Sequence, residues 1–198
     1  METTISDTNP AWTRLAAAAA FAFALHAGQR RKGTTIPYIA HLMSVAALVL
    51  EHGGDEEQAI AGLLHDAIED GGADQEEIIK GRFGFRVAAI VRACTDSDVF
   101  PKPPWRERKE RYIEHLDDVG QDVLLVSACD KLHNARAIVS DLSVHGPEVF
   151  TRFAGGRDGT LWYYDALAEV FSRRLPGQLA KELSQTVRKM QASAILAK

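Results

Sequence analysis

The stretch 63–70, Leu-Leu-His-Asp-Ala-Ile-Glu-Asp, is the part of the chain around which the rest is organised. It places one imidazole and three carboxylates within six positions and surrounds them with apolar residues. Residues three and four apart are neighbours on a helix, so His65 is expected beside Glu69. By the same spacing, Asp66 is expected beside Glu69 and Asp70. Burying four ionisable groups on an apolar helix is costly unless their charge is compensated, which a divalent cation does directly. The stretch therefore predicts a metal site on a helix that packs against the core.

Size and charge limit the possible partners. A chain of 198 residues is long enough for one compact domain. Its hydrophobic fraction of 46% and charged fraction of 25% are those of an ordinary globular protein. The net charge of −4 gives no overall attraction to nucleic acid or to an anionic membrane, so neither is expected as a partner. An anionic small-molecule substrate must then be held by local cations or by a metal. The oligomeric state stays open.

The cysteines and the N-terminal region indicate a compartment and a domain boundary. Cys94 and Cys129 lie in apolar helical contexts, which favours buried free thiols in a reducing compartment. The alanine-rich run 15–25 is too short to cross a bilayer and has no basic region before it, so we interpret it as a core helix. A cytoplasmic location is expected. Residues 1–10 predict a loose N-terminal arm, and residues 11–198 a single domain.

Apolar residues recur at helical spacing along most of the chain, and no useful stretch alternates as a β-strand would. Three of the seven prolines fall within 96–104, which predicts a loop. Asp55 with Gln58, and Asp74 with Glu77, have the spacing of a capping box at a helix start. We predict an all-α helical bundle with a metal site at its centre. The predicted helices are 11–27, 38–51, 55–71, 74–80, 85–94, 105–116 facing solvent, 122–142 at the centre, a short one from 146, 161–174 and 176–197.

Four side chains on three predicted helices are candidate metal ligands: His41, His65, Asp66 and Asp130. Each lies in a partly apolar context, and helical folds build metal sites by bringing such side chains together. A mixed imidazole and carboxylate set suits Mn²⁺, Fe²⁺, Zn²⁺ or Mg²⁺ without a sharp choice among them. A structural interpretation stays open for each residue taken alone, since a lone histidine is often satisfied without a metal and Asp130 could bond to a neighbouring lysine or histidine.

The order of these residues resembles that of the HD-domain phosphohydrolases, which are all-α, metal-dependent enzymes. The likeness narrows to the hydrolase domain of the RelA/SpoT-type alarmone enzymes, in particular the stand-alone small alarmone hydrolases of the Mesh1-like group. It covers about residues 15–175. The segments that carry it are Ala-Gly-Gln-Arg-Arg-Lys at 27–32, Pro-Tyr-Ile-Ala-His at 37–41, the stretch 63–70, Phe-Gly at 83–84, Asp-Lys-Leu-His-Asn-Ala-Arg at 130–136 and Trp-Tyr-Tyr at 162–164.

Carried over by position, the resemblance implies a Mn²⁺ site made by the same four ligands, with another divalent cation as the alternative. Glu69 and Asp70 are implied as the catalytic carboxylates, which would orient a metal-activated water and move protons. The implied reaction is hydrolysis of the 3′-pyrophosphate ester of (p)ppGpp-like nucleotides, giving GDP or GTP and pyrophosphate. The residues implied to hold the nucleotide are Arg31, Lys32, Asn134 and Tyr163.

Other interpretations of the nucleotide-binding residues stay open on the sequence alone. Arg31 and Lys32 also fit a solvated basic loop. Asn134 fits a surface amide on its helix. Tyr163 could instead be an aromatic residue of the core, and Tyr164 is the alternative candidate for contact with the nucleotide.

Four positions depart from the common pattern of the family, and none of them is a ligand or a catalytic carboxylate. Gly71 replaces the usual Thr, and Leu42 stands where Pro is common. Ala128 and Cys129 replace the usual Leu-Ala pair. These differences leave rate and substrate preference open.

Two other functions also stay open. One is an HD-type hydrolase of (p)ppApp, NADPH or another nucleotide, and the other is a nucleotide sensor without catalysis, against which the retained acidic pair argues. Only about one helix follows residue 174, so we expect a hydrolase without synthetase activity.

Overall fold

The computed structural model describes residues 12–99 and 101–196, and within these residues there is no strand. Arg30 and Pro37 form a single bridge across the basic loop. The all-α prediction is confirmed, while the expected arm, 1–10, lies outside the described residues. The elements are α1 (Thr13–Leu25), α2 (Ile39–Glu51), α3 (Glu56–Leu64), α4 (Ala67–Gly71), α5 (Gln75–Phe83), α6 (Phe85–Cys94), α7 (Trp105–His115), α8 (Gln121–His145), a 3-10 helix (Gly146–Arg152), α9 (Gly156–Arg174) and α10 (Gln178–Leu196).

The long helix α8 runs through the middle of the bundle, as the sequence predicts. Helix α10 packs along it, and α2, α3, α6 and α9 also contact it. These contacts bury residues on several sides of its middle turns, including Ala128, Leu132 and Ala135. Asp130 lies among them and is only 5% exposed. A carboxylate at this depth requires compensating positive charge.

The two predicted capping boxes have different outcomes. The backbone N–H of Gln58 donates to the Asp55 carboxylate at 2.9 Å, and the N–H of Asp55 donates to the Gln58 side chain at 2.8 Å, so this prediction is confirmed. The prediction for Asp74 and Glu77 is wrong. Asp74 has helical backbone angles (φ −61°, ψ −21°) and its side chain makes no capping hydrogen bond. A capping side chain reaches the N–H groups of the first turn from an extended backbone, which Asp74 does not adopt.

The predicted helix 55–71 is interrupted at His65 and Asp66, between α3 and α4. This corrects the expectation that the pair lies within one helix. The His65 ring nitrogen Nδ1 donates to the carbonyl of Gly62 at 2.8 Å. That carbonyl is the one that the N–H of Asp66 would meet in an unbroken helix. Helical bonding resumes at once, because the N–H of Asp70 donates to the carbonyl of Asp66 at 3.0 Å.

Helix α7 departs from the prediction that 105–116 faces solvent. Its charged side chains are mostly exposed, but Tyr112 is buried and Trp105 is half-buried. Helix α9 begins at Gly156 rather than at 161. In the described part of the chain, no helix is both long and apolar enough to cross a membrane.

Candidate functional site

The four predicted metal ligands converge from three parts of the chain. His41 lies in the first turn of α2, and its Nε2 is 3.3 Å from Nε2 of His65. Asp66 lies in the turn after α3, with Oδ2 3.1 Å from His65 Nε2 and 3.9 Å from His41 Nε2. Asp130, from the middle of α8, places Oδ1 3.2 Å from His41 Nε2 and 3.5 Å from His65 Nε2. The potential ligand atoms of His41, His65 and Asp66 all lie within 4.8 Å of one another.

The separations among His41, His65 and Asp66 fit a single cation, and Asp130 lies beside both imidazoles but outside this group of three. Bonds of about 2.1 Å that meet at right angles place neighbouring ligand atoms about 3 Å apart. His41 and His65 are 1% and 2% exposed, so their ring nitrogens face each other and the carboxylates rather than bulk water. Two imidazoles and two carboxylates are a donor set for a divalent transition metal.

Contacts behind the cluster orient both imidazoles, with their Nε2 atoms towards the site. A carbonyl oxygen can only accept, so the bond from His65 Nδ1 to Gly62 leaves the His65 Nε2 lone pair free for the site. His41 Nδ1 lies 2.8 Å from Nδ1 of His133. When His41 is the donor of this bond, its Nε2 also presents a lone pair. Nothing in the sequence pattern singles out His133 as this partner, although it lies three residues after Asp130 on α8.

Tyr38 holds the most exposed of the four ligands. Its hydroxyl donates to Asp66 Oδ2 at 2.5 Å. The Tyr38 ring lies between His26 and His41, with ring centroids 5.4 and 5.5 Å away. Burial, together with the charge of Asp66, raises the pKa of Tyr38, which keeps the phenol protonated as a donor. Tyr38 belongs to a quoted motif, but its role becomes visible only in the fold.

The electrostatics of the cluster favour a bound positive charge. Burial alone raises the pKa of Asp66, but the charge of His65 outweighs it and holds that pKa well below the usual range. At Asp130, Lys131 and His65 likewise outweigh burial and lower the pKa. Burial lowers the pKa of His41, so this ring is neutral near pH 7. The pKa of His65 is raised because the two carboxylates outweigh burial. A proton on His65 therefore supplies the charge that a metal would otherwise bring.

The two implied catalytic carboxylates are held by other partners. Glu69 accepts a hydrogen bond from Lys102 Nζ at 2.6 Å. Asp70 accepts one from Gln29 at 2.8 Å, and His26 Nδ1 lies 3.8 Å away. Both acids lie on the short helix α4, which follows the His65–Asp66 turn directly. They are not among the described residues that line the cavity beside His41.

A cavity of about 500 Å³ opens beside His41. All four residues implied to bind the nucleotide line it: Arg31, Lys32, Asn134 and Tyr163. Tyr164, the register alternative to Tyr163, also lines it. Six further cationic or aromatic side chains of the cavity were not predicted from the sequence: Lys109, Lys131, Arg152, Tyr38, Trp105 and Phe153. Concentrated positive charge beside aromatic surface suits an anionic ligand with an aromatic part.

Asn134 connects the cavity to the four candidate metal ligands, His41, His65, Asp66 and Asp130, which are called the metal cluster below. Its Nδ2 donates to Asp130 Oδ1 at 2.5 Å, and its Oδ1 accepts from Arg31 at 2.6 Å. The fold therefore holds it in a network rather than as a free surface amide. Tyr163 and Tyr164 are each 6% exposed and both line the cavity, so the structure brings both register alternatives to it. The Tyr163 hydroxyl has no hydrogen-bond partner in the described part of the chain.

Lys131 could have been predicted from the sequence to line the cavity, whereas Arg152 could not. Lys131 lies inside the quoted segment 130–136, next to a candidate ligand, and could have been included on that ground. Arg152 lies in the 3-10 helix, where Asp141 of α8 accepts a hydrogen bond from it at 2.7 Å. No local pattern in the sequence indicates that contact.

Comparison with known proteins agrees with this architecture. The model of the HD domain family matches residues 18–161. Guanosine-3′,5′-bis(diphosphate) 3′-pyrophosphohydrolase MESH1 of Xenopus tropicalis is 41% identical over 122 residues, which cover 60% of this chain and 66% of that protein. A probable guanosine-3′,5′-bis(diphosphate) 3′-pyrophosphohydrolase of Synechocystis is 38% identical over 121 residues, which cover 60% of this chain and 16% of that protein. The chain thus spans less than two thirds of the length of either relative.

The fold is also similar to a solved structure. It is that of a metazoan ortholog of SpoT, described as a protein that hydrolyzes ppGpp and plays a role in starvation responses. The TM-score is 0.75 at 26% identity, and the match covers 92% of this chain and 97% of that one. The family match, residues 18–161, includes all four residues of the metal cluster. The chain belongs to the HD domain family.

Proposed function

We propose that this protein is a metal-dependent pyrophosphohydrolase that removes the 3′-pyrophosphate of alarmone nucleotides and converts (p)ppGpp to GDP or GTP and pyrophosphate. One observation carries the proposal: a cluster that fits a divalent cation shares His41 with the wall of a cationic, aromatic cavity. The names of the Xenopus and Synechocystis relatives state this activity, and the metazoan structure is of a protein said to hydrolyze ppGpp. These likenesses support the same substrate class here.

The proposed cofactor is Mn²⁺, held by His41, His65, Asp66 and Asp130. When bound, it lowers the pKa of a water molecule and polarises a phosphoryl oxygen. The protein orients the two imidazoles through the contacts of their Nδ1 atoms with Gly62 and His133, so that both Nε2 atoms face the cluster. Partners of this kind typically change metal affinity by about 10- to 100-fold when they are removed.

The cations of the cavity would hold the phosphates. The protein has a net charge of −4, so attraction for a polyanion has to be local. Arg31 is fixed beside the metal cluster by Asn134, and Lys131 by its contact with Asp130 at 2.6 Å. Arg152 is fixed by its bond to Asp141. Cations held in place in this way bind phosphate with little further loss of side-chain entropy.

Glu69 and Asp70 are the proposed catalytic acids. Hydrolysis adds a water oxygen to the phosphorus, breaks the bond from phosphorus to ribose O3′, and needs a proton at O3′. A carboxylate can accept the proton of the water, and its acid form can return it to the leaving oxygen. The bonds from Lys102 and Gln29 fix the rotamers of these acids on α4.

We also propose that the protein works in the cytoplasm. Cys94 and Cys129 are both free thiols, the first half-buried and the second buried. Burial raises the pKa of both thiols, which keeps them unreactive. Free, protonated cysteines are typical of a reducing compartment.

The test is turnover by the Mn²⁺-loaded protein of ppGpp, pppGpp, ppApp, pppApp and NADPH, with the products identified. We expect GDP and pyrophosphate from ppGpp, and a loss of at least about 1,000-fold in kcat for Asp66→Asn. Asp158→Asn is the matched control, since its side chain is 88% exposed, and it should retain full activity. Tight binding of ppGpp without turnover would show that the protein is a nucleotide sensor and not an enzyme. Release of phosphate from NADPH with ppGpp untouched would overturn the proposed substrate.

A further inference from the structure

Trp105, the first residue of α7, lines the cavity, and no function is assigned to it by the site described above. From its setting we infer that Trp105 is the nucleobase platform of the cavity, a specificity-determining residue whose indole stacks on the base of the substrate. The inference rests on the proposed function in one respect, namely that the ligand is a nucleotide.

The indole is seated in a notch built by two glycines. Gly155 and Gly159 are four residues apart at the start of α9, so they lie on one side of that helix. A Cβ atom at Gly155 would lie 2.6 Å from Trp105 Cη2, and one at Gly159 would lie 3.1 Å from Trp105 Cζ3. A side chain at Gly155 would therefore push the indole out of place. The two glycines fix the position of a large ring in the cavity wall.

One side of the indole rests on the glycines at the start of α9, and no described cation lies over the ring, whereas cations lie over the neighbouring rings. Trp162 and Tyr163 meet Trp105 edge-on, with interplanar angles of 70° and 73° and centroids 6.3 Å away. Arg106 covers the Trp162 ring at 3.3 Å from its centroid, and Lys109 lies 5.0 Å from that of Tyr163. Among the described residues, no cation and no parallel ring lies over Trp105. An indole on a cavity wall that carries no cation offers a surface on which a base can stack.

The order of charges along the cavity points the base towards this ring. His41 marks the metal end, and Lys131 adjoins it through its contact with Asp130. Lys109 is one turn after Trp105 on α7 and lies against Tyr163, so it stands on the aromatic side. Lys109 is paired with Asp96 at 2.7 Å, so a nucleotide with its phosphates at the metal end, beside Arg31 and Lys131, would have its base on the aromatic side, at Trp105. Stacking tolerates either purine, so Trp105 selects for the presence of a base.

The experiment measures binding, which does not depend on turnover. Titration calorimetry on the Mn²⁺-loaded protein gives the affinities for GDP, which has a base, and for pyrophosphate, which has none. We expect Trp105→Ala to weaken GDP binding by about 5- to 150-fold and to leave pyrophosphate binding unchanged. Trp105→Phe should recover most of the GDP affinity. Trp12→Phe, a substitution of a half-exposed tryptophan outside the cavity, should match the wild type for both ligands.

Tryptophan fluorescence is the second readout, and it identifies which ring the base meets. GDP should quench the emission of the wild type and of Trp12→Phe, and the quenching should be lost in Trp105→Phe. Unchanged GDP affinity in a folded Trp105→Ala variant would overturn the inference. Equal weakening for GDP and pyrophosphate would overturn it as well, because the ring would then only shape the cavity. Trp105-dependent GDP binding in a protein that does not hydrolyse ppGpp would refute the proposed function and leave this inference intact.

Discussion

Replacement of Lys131 by methionine tests whether Asp130 belongs to a cation site. The lysine and the proposed metal are two sources of positive charge for the same carboxylate. Lys131 Nζ lies 2.6 Å from Asp130 Oδ2, and the two side chains are only 15% and 7% exposed. Methionine keeps the length and apolar bulk of the side chain and removes its charge. The free energy of unfolding of this variant should therefore depend on whether Mn²⁺ is bound.

The expected loss of stability follows from the burial of the Lys131–Asp130 pair. At 2.6 Å and an effective dielectric of about 20, Coulomb's law gives an attraction of about 6 kcal/mol, which the desolvation of the lysine partly offsets. Removal of one partner from a buried pair costs about 3–5 kcal/mol. Asp130 keeps His41, His65 and Asn134 as neighbours, so we expect about 3 kcal/mol in EDTA. For a chain of this size that lowers Tm by about 6–12 °C. With Mn²⁺ bound, the loss should fall to about 1 kcal/mol, the value of one hydrogen bond.

The assay is urea unfolding followed by circular dichroism, in EDTA and in saturating Mn²⁺. Lys80→Met is the matched control, because Lys80 pairs at 3.1 Å with Glu77 while their side chains are 47% and 77% exposed. It should change stability by less than about 1 kcal/mol in both buffers. Equal losses for Lys131→Met with and without Mn²⁺ would refute the assignment of Asp130 as a ligand. A loss no larger than that of the control would refute the buried pair itself.

Three further substitutions test separate parts of the structure. His133→Phe removes the acceptor for His41 Nδ1 and should weaken Mn²⁺ binding by about 10- to 100-fold in titration calorimetry; unchanged affinity would show that this bond does not orient the ligand. Asp55→Ala removes a helix cap and should lower the free energy of unfolding by about 1 kcal/mol in urea, while Asp55→Asn, which can still cap, should cost clearly less. Gly155→Ala places a methyl group against Trp105 and should destabilise the fold by about 1–3 kcal/mol and alter the tryptophan emission; unaltered emission would contradict the notch.

The convergence of the metal cluster could be expected from the sequence, but the way it is achieved could not. Imidazoles and carboxylates at apolar helical positions need a shared partner wherever they are buried, so His41, His65 and Asp130 indicated a common centre. No glycine or proline at 65–66 marks the interruption between α3 and α4. It accompanies a side-chain bond from His65 to the carbonyl of Gly62, which competes with the helical hydrogen bond at that carbonyl.

The cavity was less accessible to sequence reasoning than the metal cluster. Arg31 and Lys32 were implied only by the resemblance to the hydrolase family, whereas Trp105 and Lys109 belong to a segment whose alternating charges are typical of a solvated helix. Periodicity assigns a residue to a face of its own helix and does not say which other helix covers that face. The position of Trp105 depends on a gap in α9, which exists because two residues there lack side chains.

Asp130 is the point at which the metal cluster and the cavity become one site. Its Oδ1 approaches His41 and His65 and also accepts from Asn134, while its Oδ2 accepts from Lys131. The Oδ1 of Asn134 in turn accepts a hydrogen bond from Arg31 at 2.6 Å. A cation bound at the cluster would take over the neutralisation of Asp130, and the charge of Lys131 would then act more fully on whatever occupies the cavity. Metal and polyanion should therefore bind with positive coupling, which by thermodynamic linkage must be the same whichever of them binds first.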